Sequence, residues 1–224
     1  MTDQRSEPTV TTNATATTDT TTTTDTTKPD DAADAAAHVD WYTLQKQAHN
    51  EFGRRIAAVG DWNAPTPDKE WTVGDLVRHV VQEQQWIPPL LAGLTLDQAR
   101  RRVAPLGDDL AAEWHTHSSL ATAAWQAAPA DAAVQLSYDT VTVLDYLREQ
   151  VSDVTIHSWD LARATAADEI LDDALVAAVW TVFEPQRETL QASGLFASPV
   201  PVTDDAPLQS RLLALTGRDD RLPA

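Results

Sequence analysis

The stretch VSDVTIHSWDLARA, Val151 to Ala164, decides how the chain is read. At about 100° per residue, a helix over it puts Val151, Val154 and Leu161 on one stripe, which runs back through Val143, Leu144 and Leu147. A segment with that period buries one face against other helices. Beside the stripe run Tyr146, Gln150, Asp153, His157 and Asp160. Asp153 and His157 stand four residues apart over the same turn, so one ion can reach both side chains. The same spacing also arises by chance on the polar face of an acidic helix, and spacing alone leaves both readings open.

Working toward the N-terminus, a second segment repeats the arrangement. Thr72 with Asp75 three residues later reads as a capping box that starts a helix at Val73. Its apolar stripe is Val73, Leu76, Val80 and Ile87, and Pro88 with Pro89 are predicted to end it. His79 lies at the border of that stripe and Glu83 falls inside it, an unusual place for a carboxylate unless it is paired, protonated or useful. Glu83 then either orients His79, serves as a general base, or turns out to solvent.

The remaining helices follow from the same periodicity. A first runs from near Val39 to Gly60 with Trp41, Leu44, Ala48, Phe52, Ile56 and Val59 inward. Residues 96–103 form a short helix, and Asp108 to Ala127 a long one carrying Leu110, Trp114, Leu120 and Trp125. AVQLSY, residues 133–138, alternates weakly as a short strand of a minor pair. A helix from Val143 to Ala166 contains the opening stretch, and another from Asp172 to Ala192 turns Leu175, Ala178, Val179, Val182 and Phe183 inward. The last, in DDAPLQSRLLALTGR, has an Asp cap, an early proline and a closing Gly217. Long helices with short connections make an all-α, up-down four-helix bundle with extra short helices. Residues 1–37, rich in Thr, Asp and Ala, have too few large apolar side chains to order and read as a disordered tail before a single domain over 38–224.

Composition narrows the chemistry. A formal charge of -18 repels nucleic acid and anionic lipid, and no apolar run is long enough for a membrane span or signal peptide, so the cytoplasm is the expected compartment. A small-molecule substrate and a second copy of the chain are the partners that remain. Without cysteine there is no thiolate ligand and no protein thiol nucleophile. Two His and a carboxylate on facing helices leave coordination positions open, as a catalytic rather than a closed structural site requires. His115 and His117 point some 200° apart on a helix and cannot share an ion. His38 and His49 read as surface residues, and Arg163 and Arg218 as ion-pair partners. Tyr146, Trp86 and Trp159 flank the pair and are candidates for a pocket wall as well as for core, and Asp160 for a hydrogen bond to His157.

Three blocks in order, EWTVGDLVRHVVQEQQW, DVTIHSWDLARATAADE and DDAPLQSRLLALTGR, resemble the actinobacterial proteins related to the N-terminal domain of mycothiol-dependent maleylpyruvate isomerase, among the DinB-like helical bundles. The resemblance spans Asp40 to Arg218 and implies a divalent metal, zinc above all, held by His79, Asp153 and His157. Relatives often carry Glu or His where this chain has the shorter Asp153. The larger isomerase has a C-terminal domain of which a short segment from about Leu195 is found here, so the resemblance implies a broader class than strict maleylpyruvate isomerisation. In that class the metal activates a low-molecular-weight thiol such as mycothiol, for S-transfer to or isomerisation of a small electrophile, with Glu83 as proton acceptor. A non-catalytic metal- or ligand-binding module is the alternative.

Overall fold

The structure, a computed structural model, describes residues 39–194 and 196–222. The segment read as a tail, residues 1–37, and His38 lie outside the described residues. Helix α1 (Trp41–Ile56) starts where Asp40 accepts the amides of Tyr42 and Thr43. Helix α2 (Val73–Leu91) starts at the predicted capping box, in which Thr72 and Asp75 satisfy each other's amides. A short α3 (Leu96–Arg102) leads to α4 (Leu110–Ala127), and a two-stranded antiparallel ribbon, β1 (Ala133–Gln135) with β2 (Thr140–Thr142), pairs Val134 with Val141. Thr142 caps α5 (Val143–Ala164), the longest helix among the described residues.

Helices α1, α2, α4 and α5 make the bundle: α2 packs on α4, α1 on α5, and each pair touches the other. Between them lies a core that includes Phe52, Leu76, Trp125, Leu147 and Leu161. A second core forms on the opposite face of α5, where Ile156 and Trp159 meet Val176, Val179 and Phe183 of α6 (Asp173–Phe183) and Leu212 and Leu213 of α8 (Leu208–Leu215). With both faces covered, every residue of α5 from Gln150 to Ala162 is buried except Asp153. That one gap is where the helix opens to solvent.

Four expectations need correction. Helix α2 continues through Pro88 and Pro89 to Leu91. An interior proline costs about 3 kcal/mol, but these two fall in the last turn, where Ile87 and Leu90 are fully buried and Ala92 still donates to the Pro88 carbonyl. The helix expected over 172–192 stops at Phe183, and a 3-10 turn at Glu184–Gln186, with Pro185 supplying the fixed φ, re-aims the chain into α7 (Arg187–Ser193). On α4, Leu120 is 53% exposed and Ala121 takes the inward position, which is the residue in phase with Leu110, Trp114 and Trp125. Helix α8 has no side-chain cap: Pro207 occupies its N-cap position, and neither Asp204 nor Asp205 reaches its first amides. Among the described residues no helix is long and apolar enough to cross a membrane.

Candidate metal centre

Helix α2 brings His79 and helix α5 brings Asp153 and His157 to one point on the bundle surface, as the stripe-border reading predicts. One ligand atom from each of the three lies within 4.8 Å of both others. His157 Nε2 is 3.4 Å from Asp153 Oδ1, and His79 Nε2 is 4.0 Å from Asp153 Oδ2. Ligands about 2.1 Å from a tetrahedral ion stand about 3.4 Å apart: His157 and Asp153 already have that spacing, and the widest pair, within 4.8 Å, closes by up to about 1.4 Å to hold a small divalent cation. Asp153 Oδ2 is buried without a hydrogen-bond donor, an arrangement that costs free energy unless a cation or proton meets it. The donor set of two imidazoles and a carboxylate suits zinc or a similar ion.

The electrostatics favour two of the three ligands, while the third exchanges a proton for the metal. Burial alone would raise the Asp153 carboxyl, yet His157, His79 and Arg218 hold it below the usual carboxylate range. Burial, with His157 beside it, lowers His79, which keeps that imidazole neutral and able to donate a lone pair. Burial opposes protonation of His157 too, but Asp153 and Asp160 outweigh it and push the imidazole up to about 9. Asp160, 0% exposed, accepts from His157 Nδ1 at 3.0 Å. That contact leaves Nε2 facing Asp153 and His79.

Glu83 lies one turn beyond His79, half-buried, and burial and the Asp153 charge push its carboxyl up to about 7. It does not turn out to solvent. Its recorded hydrogen bond is not to His79 but from Gln150 Nε2, at 3.4 Å, and Gln150 in turn accepts from Gln84 Nε2 at 3.2 Å. The residues proposed as a pocket wall separate. Trp86 is half-buried on α2 with the Arg100 guanidinium 4.9 Å over its ring. Tyr146 is buried in the first core against Trp125, ring centroids 5.2 Å apart. Trp159 lies in the second core with Arg163 over its ring, because two residues past His157 is about 200° round the helix.

Two residues of importance escaped the periodicity. Trp71, just before the α2 cap, sets its ring 4.7 Å from that of His79 and 5.7 Å from that of His157, closing one side of the cluster. Its one sequence signal was its place beside the capping box. His49 is not a surface residue: it is 8% exposed, against Trp114 and hydrogen-bonded to Gln45. Arg163 pairs with Glu169 and Arg218 with Asp160, as ion-pair partners should. His117 lies 3.1 Å from Glu113 and His115 is exposed, each on its own side of α4.

Residues 45–162, more than half of the chain, match the family model of the mycothiol maleylpyruvate isomerase N-terminal domain. The chain belongs to this family. It is 30% identical over 194 residues to uncharacterized proteins from two strains of Mycobacterium tuberculosis, a match covering 82% of this chain and 100% of each relative. Its fold is shared with the crystal structure of the mycothiol-dependent maleylpyruvate isomerase, at 15% identity, a TM-score of 0.61 and coverage of 81% of this chain and 90% of that one. A histidine-to-alanine mutant of that isomerase matches with a TM-score of 0.55 at 14% identity, over 72% of this chain and 74% of that one. The DinB-like bundle of this family is thus the architecture that carries the His79, Asp153 and His157 cluster.

Proposed function

We propose that the protein is a divalent-metal-dependent enzyme that uses a low-molecular-weight thiol, mycothiol or a close equivalent, for S-transfer to or isomerisation of a small electrophile. The observation that carries the metal is the triad itself, three ligand atoms within 4.8 Å and a buried Asp153 oxygen with no donor. The thiol, rather than water, is supported by the family, whose solved isomerase is mycothiol-dependent; a chain without cysteine takes any sulfur nucleophile from solution.

His79, Asp153 and His157 would hold a zinc ion, which would supply a Lewis acid able to make a thiol acidic near neutral pH. The chain's own groups do the rest. His157 presents Nε2 because Nδ1 is committed to Asp160. Glu83, with a carboxyl pushed up to about 7, is poised to take the thiol proton and return it to the product carbon. The Trp71 ring shields one side from water. With a maleyl alkene, sulfur and the proton add to the two carbons, giving the S-transfer product, and removal of the proton with departure of the thiolate after rotation about the C–C bond gives the isomer. With a haloarene the C–S bond forms as the halide leaves, and Glu83 keeps the thiol proton until solvent takes it.

The test uses purified, zinc-loaded protein with a maleyl compound or a haloarene, with and without mycothiol. Consumption should require the thiol, vanish in His157→Ala, and in Glu83→Gln lose its rise through pH 7. Stoichiometric zinc with no thiol-dependent turnover across a broad electrophile screen would sink the catalytic reading and leave a binding module.

A further inference from the structure

The residue after Gly217 reaches back across the molecule. Helix α8 ends in a turn in which Gly217 N donates to Ala214 O at 3.1 Å and Arg218 N to Leu213 O at 2.9 Å. Gly217 has φ +79°, and a Cβ on it would stand 2.6 Å from Ala197 Cβ and 2.8 Å from Ala197 O, so glycine is required twice over. The turn aims Arg218 at α5. There Arg218 Nε donates to Asp160 Oδ1 and Nη2 to Oδ2, both at 2.6 Å, while Nη1 holds the Thr216 carbonyl at 3.0 Å. The same Asp160 Oδ2 accepts from His157 Nδ1.

We propose that Arg218 is a positioning residue of the metal centre, acting through Asp160 to orient His157. The proposal rests on the metal reading above. Asp160 is 0% exposed, and among the described residues its charge is met by the guanidinium and the imidazole it faces. The two-pronged pair holds both carboxylate oxygens in one plane, so the acceptor lobe of Oδ2 keeps one direction toward Nδ1. A carboxylate so held turns the ring, assigns the proton to Nδ1 and makes Nε2 the better ligand. The position that sets the strength of this site is therefore 58 residues beyond Asp160, at the end of the second core and outside the bundle that supplies the ligands.

Zinc affinity, by chelator competition, and the Nδ1–H proton resonance of His157 in metal-free protein are measured for wild type, Arg218→Met and Arg218→Lys. Arg218→Met should weaken zinc about 10- to 100-fold, the usual effect of losing an outer partner of a ligand, and lose the slowly exchanging Nδ1–H signal. Arg218→Lys keeps the charge without the fork and should fall between. Affinity within twofold of wild type in Arg218→Met, or an unchanged Nδ1–H signal, overturns the proposal. If Arg218→Met does not fold, wild-type affinity in Arg218→Lys overturns it. Should wild type itself bind no zinc, the metal reading fails, and the resonance alone decides whether Arg218 orients His157.

Discussion

His49 and His157 are equally buried, each 8% exposed, and the protein treats them in opposite ways. Around His49 stand neutral groups: the Gln45 amide 2.8 Å from Nδ1, Thr122 Oγ1 at 3.5 Å and the Trp114 ring with its centroid at 5.1 Å. Burial dominates there and lowers the imidazole to about 4. Around His157 stand Asp153 at 3.4 Å and Asp160 at 3.0 Å, which reverse the effect of burial and push the ring up to about 9. Depth therefore does not decide whether a buried histidine is a neutral core residue or a member of a charged site; the charge of its neighbours does.

The largest break in the comparison comes from removing the carboxylate that both ligand histidines share. Asp153→Ala should eliminate stoichiometric zinc on metal analysis, and an NMR titration of the metal-free variant should show His157 moved down from about 9. One zinc per chain retained by this variant would disprove the three-residue site.

A pH series sharpens the contrast, because the two shifts have opposite signs. A histidine ordinarily titrates at 6.5, and the native His49 at about 4, so between these values the unfolded chain takes a proton that the native chain refuses. His49 thus lowers stability as pH falls, by up to about 3 kcal/mol for a shift of this size. His157 contributes stability that is fully present below 6.5 and is lost as pH rises through about 9 in metal-free protein. Glu83, raised from 4.5 to about 7, favours the native state at low pH and so opposes His49 over the same window. For that reason the effect is to be read as a difference between variant and wild type, in chelator, by denaturant melts. His49→Gln should gain on wild type as pH falls from 6.5 toward 4, and His157→Gln should gain on it as pH rises toward 9. A difference curve flat with pH for either variant would refute the corresponding neighbour assignment.

At neutral pH the effect of His49→Gln is smaller. The amide can replace one hydrogen bond to Gln45 but not the ring against Trp114, and a loss of about 1 kcal/mol is expected from equilibrium unfolding at pH 7. The smallest effect belongs to a change that touches neither histidine. Deleting residues 1–36, a segment rich in Thr and Asp, should leave both the melting temperature and the zinc affinity unchanged, and a shift of several degrees would contradict the reading of that segment as a tail.

Much of the candidate site, though not the burial of His49, was legible in local spacing. Caps, stripes and the i, i+4 pair are properties of a single helix, so the start of α2 at Thr72, the start of α5 near Val143 and the border positions of His79, Asp153 and His157 follow from the order of residues alone. The composition likewise excluded a protein thiol outright. What spacing cannot say is which directions around a helix another element covers. Asp160 and Trp159 would be rim residues on a bundle of four helices; they are buried because α6 and α8 pack on the far side of α5. His49 is neutral because α4 brings Trp114 and Thr122 over it, and Trp71 reaches the site because the loop before α2 folds back. The run of prolines at Pro88 and Pro89 broke no helix, since burial of Ile87 and Leu90 outweighed a local preference. The sequence by itself determined where the two ligand-bearing helices start and the angular positions of the ligands, because those depend on bonds a turn or less apart. The tertiary structure alone decided protonation, the Arg218 contact and the enclosure of the site, because these depend on charges and surfaces brought from segments tens of residues away.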